Sequence, residues 1–342
     1  MRSNLWARMV SIAMSLSLVG LTGCIFDDES CESLIQSGKY EKALRVCKEA
    51  AAEKDTTAMS LIAGMYEQGQ GVPHDAQEAL QWYQKAANLG DDKAQCSVGT
   101  AYRDGLGTDV NMDEAVKWYR KSADQGNSDA QCNLGVAYKD GVGGFKQSFS
   151  DALSWLMLSA DQGNDWAQYN LGVMYRDGVG VEQDYLQANA WFLKAAEGNQ
   201  NSWAQYNLGV AYRDGLGVEQ NDVTAVEWYT KAAEQGNPWA QNNLGTMYNT
   251  GRGVALSDRQ ALNWFRKSAD QGISWSQYNM GMMYRDGKGV PANNVQAYKW
   301  FQLAIDSGKG DAAADRDLLA KSMSEAEVLE AKELVRGWKS GK

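Results

Sequence analysis

Apolar positions recur along most of the chain at the spacing of amphipathic helices, whereas the period-two alternation of β-strands is absent. A tyrosine returns every 36 or 37 residues, at Tyr66, Tyr102, Tyr138, Tyr175, Tyr212, Tyr248 and Tyr284. A tryptophan returns with the same spacing, at Trp82, Trp118, Trp155, Trp191, Trp228, Trp264 and Trp300. A fixed period of this length predicts a repeat array, so the length of 342 residues does not indicate two ordinary domains.

Each repeat unit divides into two helices. In the fourth unit the pattern predicts a first helix from Trp166 to Arg176, which ends at the Gly178-Val179-Gly180 segment because glycine tolerates the left-handed conformation. A second helix is predicted from Leu186 to Ala196. One such unit cannot bury its apolar face alone, so stacked units must form the core. The sequence therefore predicts an all-α solenoid of antiparallel helix pairs.

The repeated motif is Ala-Gln-Tyr-Asn-Leu-Gly-Val-Met-Tyr-Arg-Asp-Gly-Val-Gly-Val, which starts at Ala167 in the fourth unit, followed by Ala-x-x-Trp-Phe-x-Lys-Ala-Ala. It resembles the Sel-one-like repeat, a relative of the tetratricopeptide repeat, from about Thr57 to Gly308. The resemblance implies a right-handed α/α superhelix that acts as an adaptor. Exported bacterial lipoproteins and host-interaction factors are known in this family.

The two ends of the chain differ from the repeats. Residues 24–56 are predicted to hold an anchor, a short linker and a helical hairpin, and residues 57–308 the seven repeats. Residues 309–342 are predicted to form capping helices, with a capping box at Ser324 and Glu327.

Residues 1–23 have the pattern of a signal peptide: a basic start, a short apolar stretch and then Leu21-Thr22-Gly23-Cys24. The last four residues resemble a bacterial lipobox, which predicts lipidation of Cys24 and attachment to a membrane. Ile25, in place of aspartate, points by this resemblance to the outer membrane, with the protein facing the periplasm or the cell surface. An ordinary secretory signal that contains a cysteine is the alternative.

Four further cysteines follow. Cys31 and Cys47 lie symmetrically about a turn at Lys39, so a disulfide between two antiparallel helices is predicted in an oxidising compartment. Cys96 and Cys132 occupy the same position in neighbouring repeats. The expected helix separation of roughly 8–10 Å disfavours a disulfide there but leaves it open.

Composition argues against several classes of function. The formal charge is −10 and the sequence has no Lys/Arg stripe, so no nucleic-acid partner is expected. The one histidine, His74, has no partner at metal-ligand or catalytic spacing. The Gly-x-Gly segments follow helices and recur in every unit, so they indicate helix ends and not a phosphate loop. We therefore expect no catalytic residue, metal or cofactor.

One surface of the first helix of each unit carries candidate binding residues. With 100° per residue, Trp166 and Asn170 lie opposite the core, and Tyr169 lies beside them. An exposed tryptophan column is costly unless a partner covers it, and aromatic residues dominate binding hot spots. The predicted binding residues are Trp166, Tyr169, Asn170, Trp203, Tyr206, Asn207, Trp239, Asn243, Trp275, Tyr278 and Asn279.

Two interpretations of this surface stay open. Each tryptophan could instead pack sideways against the next repeat. A basic residue followed by aspartate, as in Arg176-Asp177, closes most of the first helices. This pair could form a polar ladder for a ligand, or a solvated helix end with local ion pairs, which we favour.

The leading hypothesis is a membrane-anchored adaptor of the bacterial cell envelope that binds a protein or peptide on its concave face. One alternative is a surface-exposed host-interaction factor. A second is an envelope protein that interacts with peptidoglycan or β-lactams.

Overall fold

The computed structural model describes residues 30–198 and 200–340, without the side chains of the last two. Residues 1–23 and the predicted lipidation site Cys24 lie outside the described residues. Within these ranges the chain forms eighteen α-helices and no strand. They are α1 (Cys31–Gln36), α2 (Tyr40–Ala52), α3 (Thr56–Gln68), α4 (Ala76–Asn88), α5 (Asp92–Asp104), α6 (Met112–Ala123), α7 (Ser128–Asp140), α8 (Phe149–Asp161), α9 (Asp165–Asp177), α10 (Tyr185–Glu197), α11 (Ser202–Asp214), α12 (Asp222–Glu234), α13 (Pro238–Thr250), α14 (Asp258–Asp270), α15 (Ser274–Asp286), α16 (Asn294–Asp306), α17 (Ala312–Ala320) and α18 (Glu325–Ser340).

The seven repeats run from α3 to α16, and each pairs an odd-numbered helix with the following even-numbered one. In the fourth repeat the side chain of Asn164 accepts a hydrogen bond from the backbone N–H of Ala167 and starts α9. Gly178 ends α9 in the left-handed conformation, with φ of 67°. The prediction of an all-α solenoid is confirmed, and the predicted bounds of the two helices in this repeat are correct to about one residue.

The odd-numbered helices form the inner layer of the solenoid. Helix α9 contacts both α7 and α11, and α11 also contacts α13, although an even-numbered helix lies between each pair in the sequence. No comparable contact joins consecutive even-numbered helices between α4 and α16. The odd layer is thus more closely spaced, so the stack curves toward it. We call the surface of α3, α5, α7, α9, α11, α13 and α15 that faces away from the even-numbered helices the inner face.

Close helix packing depends on a glycine in the middle of the inner helices. A β-carbon on Gly172 would lie 2.5 Å from a ring carbon of Phe192, on the paired helix α10. The same contact recurs between Gly209 and Tyr229, and between Gly281 and Phe301. The absent side chain therefore lets each inner helix rest on a buried ring of its partner helix.

The second glycine of each Gly-x-Gly segment makes the contact between repeats. A β-carbon on Gly253 would lie 2.2 Å from the carbonyl oxygen of Asp222, at the start of α12 in the preceding repeat. Gly107 approaches the carbonyl of Ala76 equally closely. The first glycine of each Gly-x-Gly segment thus ends a helix, and the second allows close contact with the preceding repeat.

A ladder of buried glutamines adds polar contacts to this stacking. Gln205 donates from Nε2 to the carbonyl of Ala196 at 3.3 Å, and its Oε1 accepts from Gln235 at 2.7 Å. Buried amides are stabilising only where such partners exist. At the end of the array, Ser307 occupies the position equivalent to the donor Gln235, and the buried Oε1 of Gln277 has no hydrogen-bond partner.

Both ends of the array carry additional helices. Cys31 in α1 and Cys47 in α2 form a disulfide, with Cα atoms 5.1 Å apart, which is the pairing expected from the sequence. Cys96 and Cys132 are free and buried. The capping box is present: the Ser324 N–H donates to Glu327 at 2.8 Å, and the Glu327 N–H donates to the Ser324 hydroxyl at 3.3 Å. Among the described helices, none has the length and apolar character required to cross a membrane.

Candidate functional site

The predicted tryptophan column lies on the inner face and is largely in contact with solvent. Trp166 is 46% exposed, Trp239 37% and Trp275 53%, whereas Trp203 is partly buried. These are the largest apolar side chains exposed on the inner helices. Side chains of this kind are costly to leave in water, so the column has the character of a contact surface.

Tyrosines connect the exposed tryptophans to the core. Trp166 meets Tyr169 edge-on at 5.8 Å between ring centroids, and Tyr169 lies 6.0 Å from the buried Phe192. Trp203, Tyr206 and the buried Tyr229 form the same series in the next repeat, at 6.4 and 6.1 Å. The exposed rings therefore rest against fixed neighbours, which lowers the entropy lost when a partner immobilises them.

The tyrosines of this surface are neutral hydrogen-bonding groups at physiological pH. Burial raises the pKa of Tyr169 and of Tyr206 above the ordinary value. Burial, together with the hydrogen bond from Tyr278 to Asp315, likewise raises the pKa of Tyr278. These hydroxyls thus remain protonated and can donate.

The asparagines have a role that the sequence analysis did not foresee. Asn207 is only 6% exposed; its Nδ2 donates to the carbonyl of Trp203 at 2.8 Å, and its Oδ1 accepts from Arg176 at 2.6 Å. In the preceding repeat Asn170 donates to the carbonyl of Trp166 and accepts from Lys139 at 3.3 Å. The amides of Asn170 and Asn207 are therefore engaged in the array and are not free ligands for a peptide backbone.

These contacts form a ladder between successive inner helices. Arg176 also makes a bidentate ion pair with Asp177, at 2.7 and 2.8 Å. This local ion pair at an exposed helix end is the arrangement that the favoured interpretation of the basic–aspartate pairs predicts. The additional bond to the next repeat makes Arg103, Lys139 and Arg176 rungs that fix two inner helices relative to each other.

The ladder is interrupted in the sixth repeat, where Asn249-Thr250 stands in place of a basic residue and aspartate. A cavity of about 170 Å³ opens at this point between α13 and α15. Its lining includes two of the predicted binding residues, Tyr278 and Asn279, together with Asn249. Sequence comparison of the repeats could have located it, because Asn249 is the one departure from a basic residue among the last six units.

The last tryptophan of the column is covered on one side. The buried Lys309 places its Nζ 3.5 Å from the ring centroid of Trp275 and also pairs with Asp311 at 2.9 Å. This cation–π contact comes from the turn that follows α16. At Trp275 the ring therefore packs against a following part of the chain, as the alternative interpretation expects, but it remains half exposed.

A second cleft, of about 410 Å³, lies against the outer helix α6. It depends on the inserted Phe145, which stacks on Tyr138 with ring centroids 4.1 Å apart. Arg120 bonds the Tyr138 hydroxyl, and Trp118 forms part of the lining. The third repeat, 128–164, is one residue longer than the second, 92–127, and no site was predicted there from the sequence.

Groups with redox or metal chemistry are few in the region that the structure describes. No cluster of His, Cys, Asp and Glu there has the arrangement of a metal site. Burial raises the pKa of the Cys96 and Cys132 thiols to about 12, so both are protonated and unreactive near neutral pH.

The Sel1 repeat family model matches seven consecutive segments: 56–91, 92–127, 128–164, 167–200, 204–237, 240–273 and 276–309. The chain belongs to the Sel1 repeat family. The resemblance read from the sequence is confirmed, and Sel1 repeat solenoids act as protein-interaction scaffolds.

Two solved structures are similar over most of this Sel1 repeat protein. The Sel1 repeat protein from Oxalobacter formigenes is 29% identical with a TM-score of 0.63, and the match covers 86% of this chain and 87% of that one. The c5321 protein, described as a protective antigen present in uropathogenic Escherichia coli strains and displaying an SLR fold, is 28% identical with a TM-score of 0.51. That match covers 90% of this chain and 84% of that one. The search of curated proteins found no match.

Proposed function

We propose that this Sel1 repeat protein is an adaptor of the bacterial cell envelope, which binds a protein or peptide along its inner face and is tethered by a lipid on Cys24. The observation that carries the binding role is the column of exposed tryptophans at Trp166, Trp239 and Trp275. The lipobox resemblance at Leu21 to Cys24 supports the tether. The contacts that recur from repeat to repeat do not involve these tryptophans, because they are made by the glycine–ring pairs and the glutamine ladder.

The position of the tryptophans favours an extended partner. They recur once per repeat on neighbouring inner helices, so a chain that crosses these helices meets one aromatic ring after another. Trp166 and Trp203 are each backed by a tyrosine, whereas Asn242 stands beside Trp239. The surface is thus repetitive in its anchors but different in detail at each repeat, which suits a peptide with a defined direction.

Site-directed variants test the binding role. Trp166→Ala and Trp239→Ala together should abolish capture of partners from envelope extracts and leave the helical circular dichroism spectrum unchanged. Leu186→Ala is the matched control, because Leu186 is a 67% exposed apolar residue on the outer helix α10. Equal capture by the tryptophan variants and the wild type would refute the inner face as the binding surface.

Metabolic labelling tests the tether separately. An alkyne analogue of palmitate should label the wild type and not a Cys24→Ser variant, and the wild type should fractionate with the outer membrane. Labelling that survives in Cys24→Ser would contradict the assignment of Cys24 as the lipidated residue.

A surface-exposed host-interaction factor is the second candidate, and the similarity to the protective antigen of uropathogenic Escherichia coli favours it. Protease treatment of intact cells separates the two. Degradation of the solenoid in intact cells supports exposure at the surface, and protection until the outer membrane is opened supports a periplasmic adaptor.

A further inference from the structure

In the second, third and fourth repeats, the ladder on the inner face places a cationic head group at one defined position between an inner helix and the next one. The head group of Arg103 lies 3.0 Å from Oδ1 of Asn133, and Arg176 lies 2.6 Å from that of Asn207. Lys139 fills the equivalent position at 3.3 Å from Asn170. Each asparagine oxygen thus accepts from a long side chain with an apolar stem and a positive end.

This position is empty of a cation between the sixth and seventh repeats. Asn249 is too short to replace an arginine, and the 170 Å³ cavity occupies the space. Among the hydrogen bonds of the described residues, Asn279 donates to Asn242 at 3.4 Å, and no basic side chain donates to its Oδ1. The acceptor of the rung is therefore present without its donor.

We propose that the cavity receives an arginine or lysine side chain of the bound peptide, which completes the interrupted rung. This inference rests on the proposed binding role of the inner face. Buried Phe265 and Met283 line the cavity together with Met282 and match an apolar stem. Asn279 and Asn249 supply amide oxygens for the cationic end.

The charges around the cavity are consistent with a cationic guest. Asp286 lies at its exposed side and is paired with Arg285 at 2.7 Å, which holds the pKa of Asp286 below its usual value, so it is ionised. Lys288 also lines that side and offsets part of this charge. Arg285 is in turn shared with Asp315, at 3.2 Å. Around this near-neutral rim, the formal charge of −10 on the whole chain attracts cationic peptides.

The location fits a peptide that contacts the tryptophan column. Trp239 is at the start of α13 and Trp275 at the start of α15, and the cavity lies between these same two helices. The lining residues Asn279, Met282 and Asp286 follow Trp275 along α15, so a peptide anchored on this ring reaches the cavity when it continues toward the C-terminal end of the helix. The aromatic anchor would then supply much of the affinity, and the cavity would select a residue at a fixed distance from it.

Selection from a random peptide library tests the proposal. Twelve-residue peptides displayed on phage are selected on immobilised wild-type protein, and the retained sequences are compared for an arginine or lysine at a fixed distance from an anchoring residue. The affinity of individual synthetic peptides is then measured for the wild type, for Trp166→Ala and Trp239→Ala, and for three further variants.

The decisive variant is Asn249→Arg, which fills the cavity from within and supplies the missing rung. It should keep or raise the thermal stability, and it should weaken the selected peptides about tenfold or more, which is about 1.4 kcal/mol or greater. Asn263→Arg is the control, because it adds the same charge to an exposed site on the outer helix α14 of the same repeat. It should leave the affinity unchanged.

A second variant has the opposite expected sign. Asn279→Asp gives the cavity a carboxylate, as Asp315 provides for Arg285 in the next rung. It should tighten binding of basic peptides about two- to fivefold, and this gain should disappear when the basic residue of the peptide is replaced by glutamine.

The possible failures are distinct. Peptides that depend on Trp239 but show no basic residue, or that bind Asn249→Arg as well as the wild type, overturn the inference and leave the binding role intact. A library that yields no peptide dependent on Trp166 or Trp239 overturns both.

Discussion

The glycine in the middle of each inner helix provides a test of what holds the repeats together. Alanine is a better helix former than glycine by about 0.5–1 kcal/mol, so Gly→Ala in a helix is stabilising where the methyl group has space. At Gly172 it has none, because its β-carbon would lie 2.5 Å from Cε1 and 2.6 Å from Cδ1 of Phe192. The ring is itself only 1% exposed and cannot move without disturbing the core.

The first repeat supplies an internal control. Gly64 lies inside α3, and a β-carbon there would meet no atom within 4 Å. In this repeat Ala63 takes the position of the later glycines, and the paired ring of Tyr83 is only partly buried and bonds Glu67 at 3.1 Å. The chain thus shows that a methyl group at this position is accompanied by a ring that is less deeply buried.

We expect opposite effects from Gly172→Ala and Gly64→Ala. Overpacking of a filled core costs about 1–3 kcal/mol, which exceeds the helix-propensity gain, so Gly172→Ala should lower the free energy of unfolding by about 0.5–2 kcal/mol. Gly64→Ala should raise it by about 0.5–1 kcal/mol.

Urea titration followed by circular dichroism, with hydrogen exchange of α9 and α10 to localise the change, measures both variants. Hydrogen exchange is needed because long repeat arrays can depart from two-state unfolding. A stabilising Gly172→Ala would refute the claim that the glycine is required for close contact with Phe192.

Three further predictions concern the ends and the core of the array. Replacing Cys31 and Cys47 by serine removes a disulfide that spans 16 residues, so it should destabilise the α1–α2 hairpin by about 3 kcal/mol. Hydrogen exchange should become faster in that hairpin alone, and a uniform loss of protection across the array would contradict this. Gln235→Ala removes the donor to the buried Oε1 of Gln205 and should cost about 1–3 kcal/mol in urea titration, more than Gln220→Ala, whose bond to the carbonyl of Arg213 is exposed. Burial raises the pKa of the Cys96 and Cys132 thiols from 9.0 to about 12. A thiol whose pKa is raised in the folded state stabilises the fold below its unfolded pKa, and this stabilisation is lost as the pH rises toward the folded pKa. The free energy of unfolding of a Cys24→Ser variant should therefore fall as the pH rises from 9 to 12, and it should fall less when both thiols are also replaced by alanine. In the same Cys24→Ser variant, rapid reaction of either thiol with a disulfide reagent at pH 8 in the folded state would contradict the assigned burial.

The helices were predictable from the sequence because their signals are local. A side-chain cap such as Asn164, a helical apolar period and a left-handed glycine such as Gly178 fix the start, face and end of α9 within thirteen residues. Stacking followed from the fixed period, since equivalent faces of identical units must meet. The exposed position of Trp166 followed from the same helical geometry.

The polar contacts between repeats were less predictable. The bond from Arg176 to Asn207 joins residues 31 apart, and it depends on the offset between neighbouring inner helices, which the helical period alone does not give. The helical wheel placed Asn207 away from the core, but Arg176 and Trp203 cover its amide. The predicted position of Asn207 on its helix is thus correct, but its long-range hydrogen bonds give it a structural role that the helical period does not predict.

In the proposed binding role, the interrupted rung would give a repeat protein specificity at little cost in stability. In an array whose contacts are made between nearest neighbours, the loss of one rung affects the interface of only two repeats. Asn249-Thr250 lacks the ion pair that Arg213 and Asp214 form at the equivalent position of the preceding repeat, where it is partly exposed to solvent. Exposed ion pairs stabilise proteins by about 0–1 kcal/mol. The cavity lies between α13 and α15, the two helices that begin with the exposed Trp239 and Trp275. A position that contributes little to the fold can therefore contribute to recognition, and Asn249→Arg should separate the two contributions because it restores the rung while it closes the cavity.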